Sequence, residues 1–202
     1  MKKIDLHIHT KASVTDQPFD FALESLVAYV NEKRIAAIAI TNHNLFDLGQ
    51  YQMIISKIDI PVFPGIEIDI EKSHLLLIAD LSDVADFYSR CDQITAQIKS
   101  KDDYISFETF GKIFLDFSKY ILIPHYDKKP AMSKDTIAKY GDNIHAGEVS
   151  SKKKFIYCYR DPREPVSVLF SDIRIRKELT EFPSKATYLN IGDISFAAIK
   201  SA

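Results

Sequence analysis

Cysteine is scarce in this 202-residue chain: Cys91 and Cys158 are the only two. They form neither a C-x-x-C motif nor a disulfide framework, which suits a reducing cytoplasm. No apolar run approaches the length of a membrane span, and Met1-Lys2-Lys3-Ile4-Asp5 lacks the apolar core of a signal peptide. The reading is a cytoplasmic protein with no membrane partner. Strong net charge is absent too. At -2 the molecule as a whole has little pull on a polyanion, so any anion site must be local. There is no internal repeat, no low-complexity segment and no mark of a domain boundary. The densest charge run is Lys152-Lys153-Lys154. Residues 1–194 read as one domain with a sizeable core.

Short apolar runs bounded by polar clusters recur along the chain. Strands are expected at Ile4–His7, Ala36–Ile40, Val62–Ile70, Leu75–Ile78, Ile121–Pro124, Ala146–Val149, Val166–Phe170 and Thr187–Ile191. Many are apolar on both faces, as in a buried parallel sheet. Helical spacing marks Phe21–Arg34, Leu48–Lys57, Val84–Lys99 and Phe107–Phe117, the last capped by Ser106. Ser133–Tyr140 and Lys153–Tyr159 are shorter helical stretches. The alternation predicts an α/β fold with a mostly parallel sheet, either closed into a barrel or open. Residues 195–202 read as an N-cap at Ser195 and the first turns of an amphipathic helix, either cut short or frayed at a native end.

Asp5-Leu6-His7-Ile8-His9 ends the first strand. Alternation sends residues i and i+2 to one side, so His7 and His9 can offer ring nitrogens to one metal ion. Later strands end in similar residues: His43 after Ala36–Ile40, Glu67 within Val62–Ile70, His125 after Pro124, Glu148 after Ala146-Gly147, and Asp172 after Phe170. In parallel α/β folds the C-terminal strand ends carry the site. His7, His9, His43, Glu67, His125 and Asp172 would therefore meet on one face, in a donor set that suits zinc, manganese or iron. Each residue also has a plainer reading. His43 and His125 could sit in turns, Glu67 and Asp172 could be helix caps, and His74 could mark a strand edge. His145 begins its strand, at the wrong end for this site.

The ordered motifs Asp5-Leu6-His7-Ile8-His9-Thr10, Thr41-Asn42-His43-Asn44, Pro64-Gly65-Ile66-Glu67, His74-Leu75-Leu76-Leu77, Pro124-His125 and Ser171-Asp172 resemble those of the PHP (polymerase and histidinol phosphatase) family. The resemblance runs over about residues 1–175. It implies a distorted seven-stranded, TIM-like β/α barrel with a two- or three-metal site that hydrolyses phosphate esters. Carried over by position, it sets His7, His9, Glu67 and Asp172 around one ion, with Glu67 bridging to a second held by His74 and His125. His43 would serve a third, with an acidic residue, Asp16 or Asp20, and a closing histidine. The chain departs at that closing position, where Asp172-Ile173-Arg174 stands for Asp-x-His. A guanidinium stays protonated and is no ordinary metal donor. Arg174 either marks a weakened site or replaces an ion and grips phosphate oxygens itself.

Lysines after the strand ends, including Lys128 and Lys152, would give a basic rim for a phosphate or a nucleic acid. The expectation is a metal-dependent phosphoesterase acting on phosphodiesters through a metal-activated water, with Glu67 and Arg174 in catalytic roles. Two other readings stay open. One is a catalytically weakened module that binds nucleic acid or docks on an ATPase, since the resemblance includes PHP domains fused at their C-terminal end to ABC/SMC-type ATPases. The other is a small-molecule phosphatase of the histidinol-phosphate type.

Overall fold

β-branched and leucine-rich runs that cannot tolerate water on either face build the centre of this molecule. The computed structural model describes residues 1–161 and 164–202. β1 (Lys2–His9), β2 (Ala37–Ile40) and β3 (Val62–Ile70) run parallel, joined by α1 (Leu23–Lys33) and α2 (Leu48–Ile55). α1 ends where Arg34 turns left-handed, at φ 51°. α2 begins where the Asp47 carboxylate accepts from the Gln50 amide. β4 (Ser73–Ala79) pairs antiparallel with β3, and β5 (Tyr120–Pro124) pairs antiparallel with β4. The β3–β4 turn is Glu71-Lys72, both left-handed at φ 50° and 60°. A two-residue hairpin needs that conformation to match strand twist. α3 (Val84–Gln97) and α4 (Phe107–Ile113) fill the β4–β5 connection, and Ser106 caps α4 as expected.

β6 (Gly147–Glu148) and β7 (Ser167–Val168) form a separate two-stranded parallel ribbon around α6 (Lys152–Tyr159), preceded by α5 (Lys134–Lys139). β8 (Ile173–Arg174) pairs parallel with β1, and β9 (Thr187–Leu189) pairs antiparallel with it. α7 (Phe196–Ser201) closes the chain, capped by Ser195. Among the described residues no helix is long and apolar enough to cross a membrane.

Two expectations need correction. The sheet is mixed rather than mostly parallel, because the β3–β4 turn is too short for a crossover and forces antiparallel pairing. The seven-stranded sheet is also not a closed barrel: its order is β5-β4-β3-β2-β1-β8 with β9 beside β1. The break lies between residues 168 and 173, where side chains replace the ladder. Thr187 Oγ1 bonds both the amide and the carbonyl of Leu169. Asp5 accepts from the Ser171 amide at 3.1 Å and from its hydroxyl. At the other edge β5 reaches β6 through a single bridge, His125 to Glu148.

Two apolar layers result. Ile38, Ile40, Leu75 and Leu77 face the helices with Leu26, Tyr29, Phe87 and Ile94. Ile4, Leu6, Phe63, Leu76, Ile78 and Ile123 fill the other side, where Ile199 of α7 docks. β1 switches phase between them. Asp5 pairs with Ile38 but Ile8 pairs with Ile40, so three residues span two: a bulge. Leu6 and His7 consequently both face inward. Ile8 returns to the helix side, and His9 follows His7 inward.

Candidate metal centre

The inner apolar layer stops at one level, and above it every inward side chain is polar. His7 and His9 come from the bulged end of β1. Glu67 and Asp69 come from β3, and His74 from the start of β4. That histidine sits at the same end as the parallel strands' C-termini because β4 runs backwards. His125 follows β5, Glu148 ends β6, and Asp172 sits just before β8 in the left-handed region, at φ 53°. His43 is held by its neighbours. Asn42 Oδ1 accepts from the Thr10 and Lys11 amides, and Asn44 (φ 53°) pairs its amide group with Asp69.

Glu67 is the hub. It is 1% exposed, and its two oxygens face different histidines. Oε2 lies 3.0 Å from His7 Nε2, 3.2 Å from His9 Nε2 and 2.5 Å from His43 Nε2. Oε1 lies 2.7 Å from His74 Nδ1 and 3.1 Å from His125 Nε2. Asp172 Oδ1 is 2.9 Å from His9 Nε2. Three groups therefore have the compactness of a metal site: His7, His9, Glu67 and Asp172; His7, His125 and Glu148; His43, Glu67 and His74. The first is the set expected from the motifs. The other two divide the histidines differently from that expectation, because His43 reaches Glu67 directly and His125 also faces Glu148 at 3.3 Å.

The donors fit divalent ions. His125 Nε2 lies 3.1 Å from Glu67 and 3.3 Å from Glu148 without a well-aligned hydrogen bond to either, a state that a coordinated ion would relieve. Imidazole and carboxylate together suit zinc, manganese or iron. Burial opposes charge on His7, but Glu148 and Glu67 outweigh it and lift its pKa to about 10. His43 is likewise raised to about 10 against burial, by Glu67 and Asp16. Burial also works against ionised Glu67, yet His7 and His43 hold its pKa well below the usual range. Ions and protons thus compete for the same nitrogens.

Further residues complete the shell. Glu148 Oε2 accepts from His7 Nδ1 at 2.8 Å, fixing the ring so that Nε2 faces Glu67. The Lys128 ammonium lies 3.1 Å from Glu148 Oε1 and 3.0 Å from Asp172 Oδ2. Those carboxylates keep it charged despite its burial. Arg174 places one guanidinium nitrogen 3.3 Å from Asp16 Oδ1 and another 3.3 Å from Asp172 Oδ1. Asp16 also takes His43 Nδ1 at 2.8 Å, whereas Asp20 is exposed.

The structure thus gathers His7, His9, His43, Glu67, His74, His125, Asp172, Arg174 and Lys128. Lys152 is not among them; it opens α6 on the exposed surface. Glu148 as a site residue, and Asp69, which takes His74 Nε2 at 2.8 Å, went unassigned in the sequence. Both had a signal: Glu148 ends an apolar run like the others, and Asp69 stands two residues from Glu67 on the same strand face. A cavity of about 550 Å³ lies at the opposite end, beneath α7, lined by Ile4, Leu6 and Ile199 and by none of the gathered residues. One of about 470 Å³, lined by Asp69, His74, Lys101 and Tyr104, opens beside the centre.

The family model for the PHP domain matches residues 5–159. The chain belongs to the PHP domain family. Known folds agree. A Bifidobacterium adolescentis protein, named as a metal-dependent phosphoesterase by inference, superposes over 98% of this PHP domain and 94% of its own length, with TM-score 0.55 and 11% identity. PsfC from Pseudomonas syringae gives TM-score 0.49 and 18% identity over 73% of this chain. The match spans 64% of PsfC, less than two thirds of its length. An amidohydrolase from Chromobacterium violaceum, with bound sulfate and no metal, gives 0.43 and 13% over 72% of this chain and 76% of its own. No curated protein matches by sequence. Family and donor set together describe a mixed α/β PHP domain whose clustered histidines and carboxylates could hold divalent ions.

Proposed function

We propose that this PHP domain is a phosphoesterase working with two divalent ions, manganese, zinc or iron, and that its substrates are phosphodiesters. The carrying observation is Glu67, a buried carboxylate whose two oxygens face separate histidine sets, as a bridging ligand requires. His7, His9 and Asp172 would hold one ion with Glu67 Oε2. His74 and His125 would hold the other with Oε1. Ions in such a site supply hydroxide at neutral pH and neutralise charge on phosphoryl oxygens.

The chain's own groups do the rest. Glu148 orients His7. Lys128 and Arg174 are cations whose N–H groups can meet a phosphate as negative charge develops in the transition state. Asp16 and Asp172 aim the guanidinium across the mouth of the centre. Arg174 therefore takes the place of a histidine donor beside His43 and serves substrate rather than metal. The cavity beside His74 has room for one arm of a diester.

The test is elemental analysis with turnover. The purified chain should carry about two ions, and it should cleave bis(p-nitrophenyl) phosphate with manganese. His9→Ala should abolish cleavage. Turnover that survives this substitution, or a protein that binds no ion, would defeat the proposal.

A further inference from the structure

α6 leaves most of its side chains exposed. In Lys152–Tyr159 only Cys158 is buried. Ile156 is 48%, Tyr157 61% and Tyr159 80% exposed. Four basic residues and no acidic one lie between Lys152 and Arg160, on a chain of net charge -2. Ile156 and Tyr157 stand in water among these cations, an exposed apolar patch of the kind that marks a binding surface. Helical spacing sets Ile156 and Tyr157 in one stripe, while Tyr159 turns to the other side and stacks on Phe155. Lys153 neighbours Ile156 and Tyr157, and these in turn neighbour Arg160. The Lys154 ammonium stands 6.0 Å over the Tyr157 ring.

The stripe leads to the centre. α6 starts four residues after Glu148, and Asp127 ties its first turn to the loop that carries Lys128. Asp127 accepts from the Ser150 amide at 2.8 Å and pairs with Lys154 at 3.4 Å. From this geometry we infer that α6 is a binding platform for single-stranded nucleic acid, feeding a phosphodiester towards Glu67. The exposed Tyr157 ring offers a face on which a base stacks, and the flanking ammonium and guanidinium groups follow the backbone phosphates. A duplex hides its base faces and gains only the charge term. This inference rests on the phosphodiester reading above, but binding needs neither ions nor turnover, so the two fail separately.

The experiment is fluorescence anisotropy of the full chain, in EDTA, with a labelled oligothymidylate of about 16 nucleotides. Wild type should bind it more tightly than a duplex of equal length. Tyr157→Ala should weaken binding about 5- to 150-fold, the loss of one stacked base, while Tyr157→Phe keeps it. Lys153→Gln should reduce the salt slope by about 0.7. The Tyr157→Ala variant should keep the wild-type kcat on the small diester and raise KM for the oligonucleotide only. Absence of binding to the oligonucleotide, equal affinity for duplex, or unchanged affinity in folded Tyr157→Ala would each overturn the inference. Binding to anionic vesicles alone would assign the stripe to a lipid surface instead and overturn it too.

Discussion

Replacing Glu67 with glutamine tests the logic of the centre with little change in shape. The carboxylate has five imidazoles within 3.2 Å and is 1% exposed. At about 3 Å and an effective dielectric near 20, each charged pair attracts by about 5 kcal/mol. Burial takes much of that back, and removing one partner of a buried pair typically costs about 3–5 kcal/mol net. A domain of this size loses about 2–4 °C per kcal/mol, so metal-free Glu67→Gln should melt about 6–20 °C lower. Its ion content should fall from about two towards one or none, because an amide offers no second anionic oxygen to bridge. Differential scanning fluorimetry in EDTA reads the first effect, and elemental analysis of the reconstituted protein reads the second. A variant that keeps both ions and its melting temperature would show that Glu67 neither bridges nor anchors the histidines.

The remaining predictions concern protons and packing. In the metal-free protein His7 and His43 have folded pKa values near 10, above the ordinary 6.5. Their stabilisation is complete below pH 6.5 and is lost as pH climbs towards 10, by at most about 1.4 kcal/mol per unit per group. Urea midpoints in EDTA should therefore fall from pH 6.5 to 9, and bound ions should flatten the decline; a midpoint that rises over this range would refute it. Gly65→Ala should destabilise by about 1–3 kcal/mol. The added Cβ would sit 2.7 Å from Thr41 Cγ2 and 3.0 Å from the Ile40 carbonyl, where β3 passes close to β2. Equal urea midpoints for variant and wild type would count against that packing.

The local rules served this chain well wherever a residue's fate depends on its near neighbours. Apolar runs located β1 to β5, and helical spacing located α1, α2 and α3, because a strand or helix must bury its own face. The pairing of His7 with His9 followed from alternation alone. The phase of that alternation did not. Read strictly, Leu6 and His7 belong on opposite faces, and only the bulge opposite Ile38–Ile40 turns both inward. A bulge is a property of two paired strands, so one strand's sequence cannot show it.

From the residues alone His74 also read as a strand edge, and only the resemblance set it at an ion, because its place in the centre depends on β4 running antiparallel. Glu148 and Asp69 were visible as residue types in the right positions, yet their partners lie 141 and 5 residues away, on His7 and His74. The barrel expectation met a sheet whose last gap is crossed by Asp5 and Thr187 side chains rather than by a ladder.

By itself, then, the sequence determined an α/β chain with metal-capable residues at its strand ends and an arginine where a histidine was expected. Tertiary structure alone decided which oxygen of Glu67 meets which histidine. It also decided that Arg174 spans Asp16 and Asp172, and that α6 leaves its tyrosines in water. Those are distances between segments far apart in the chain, and only packing sets them.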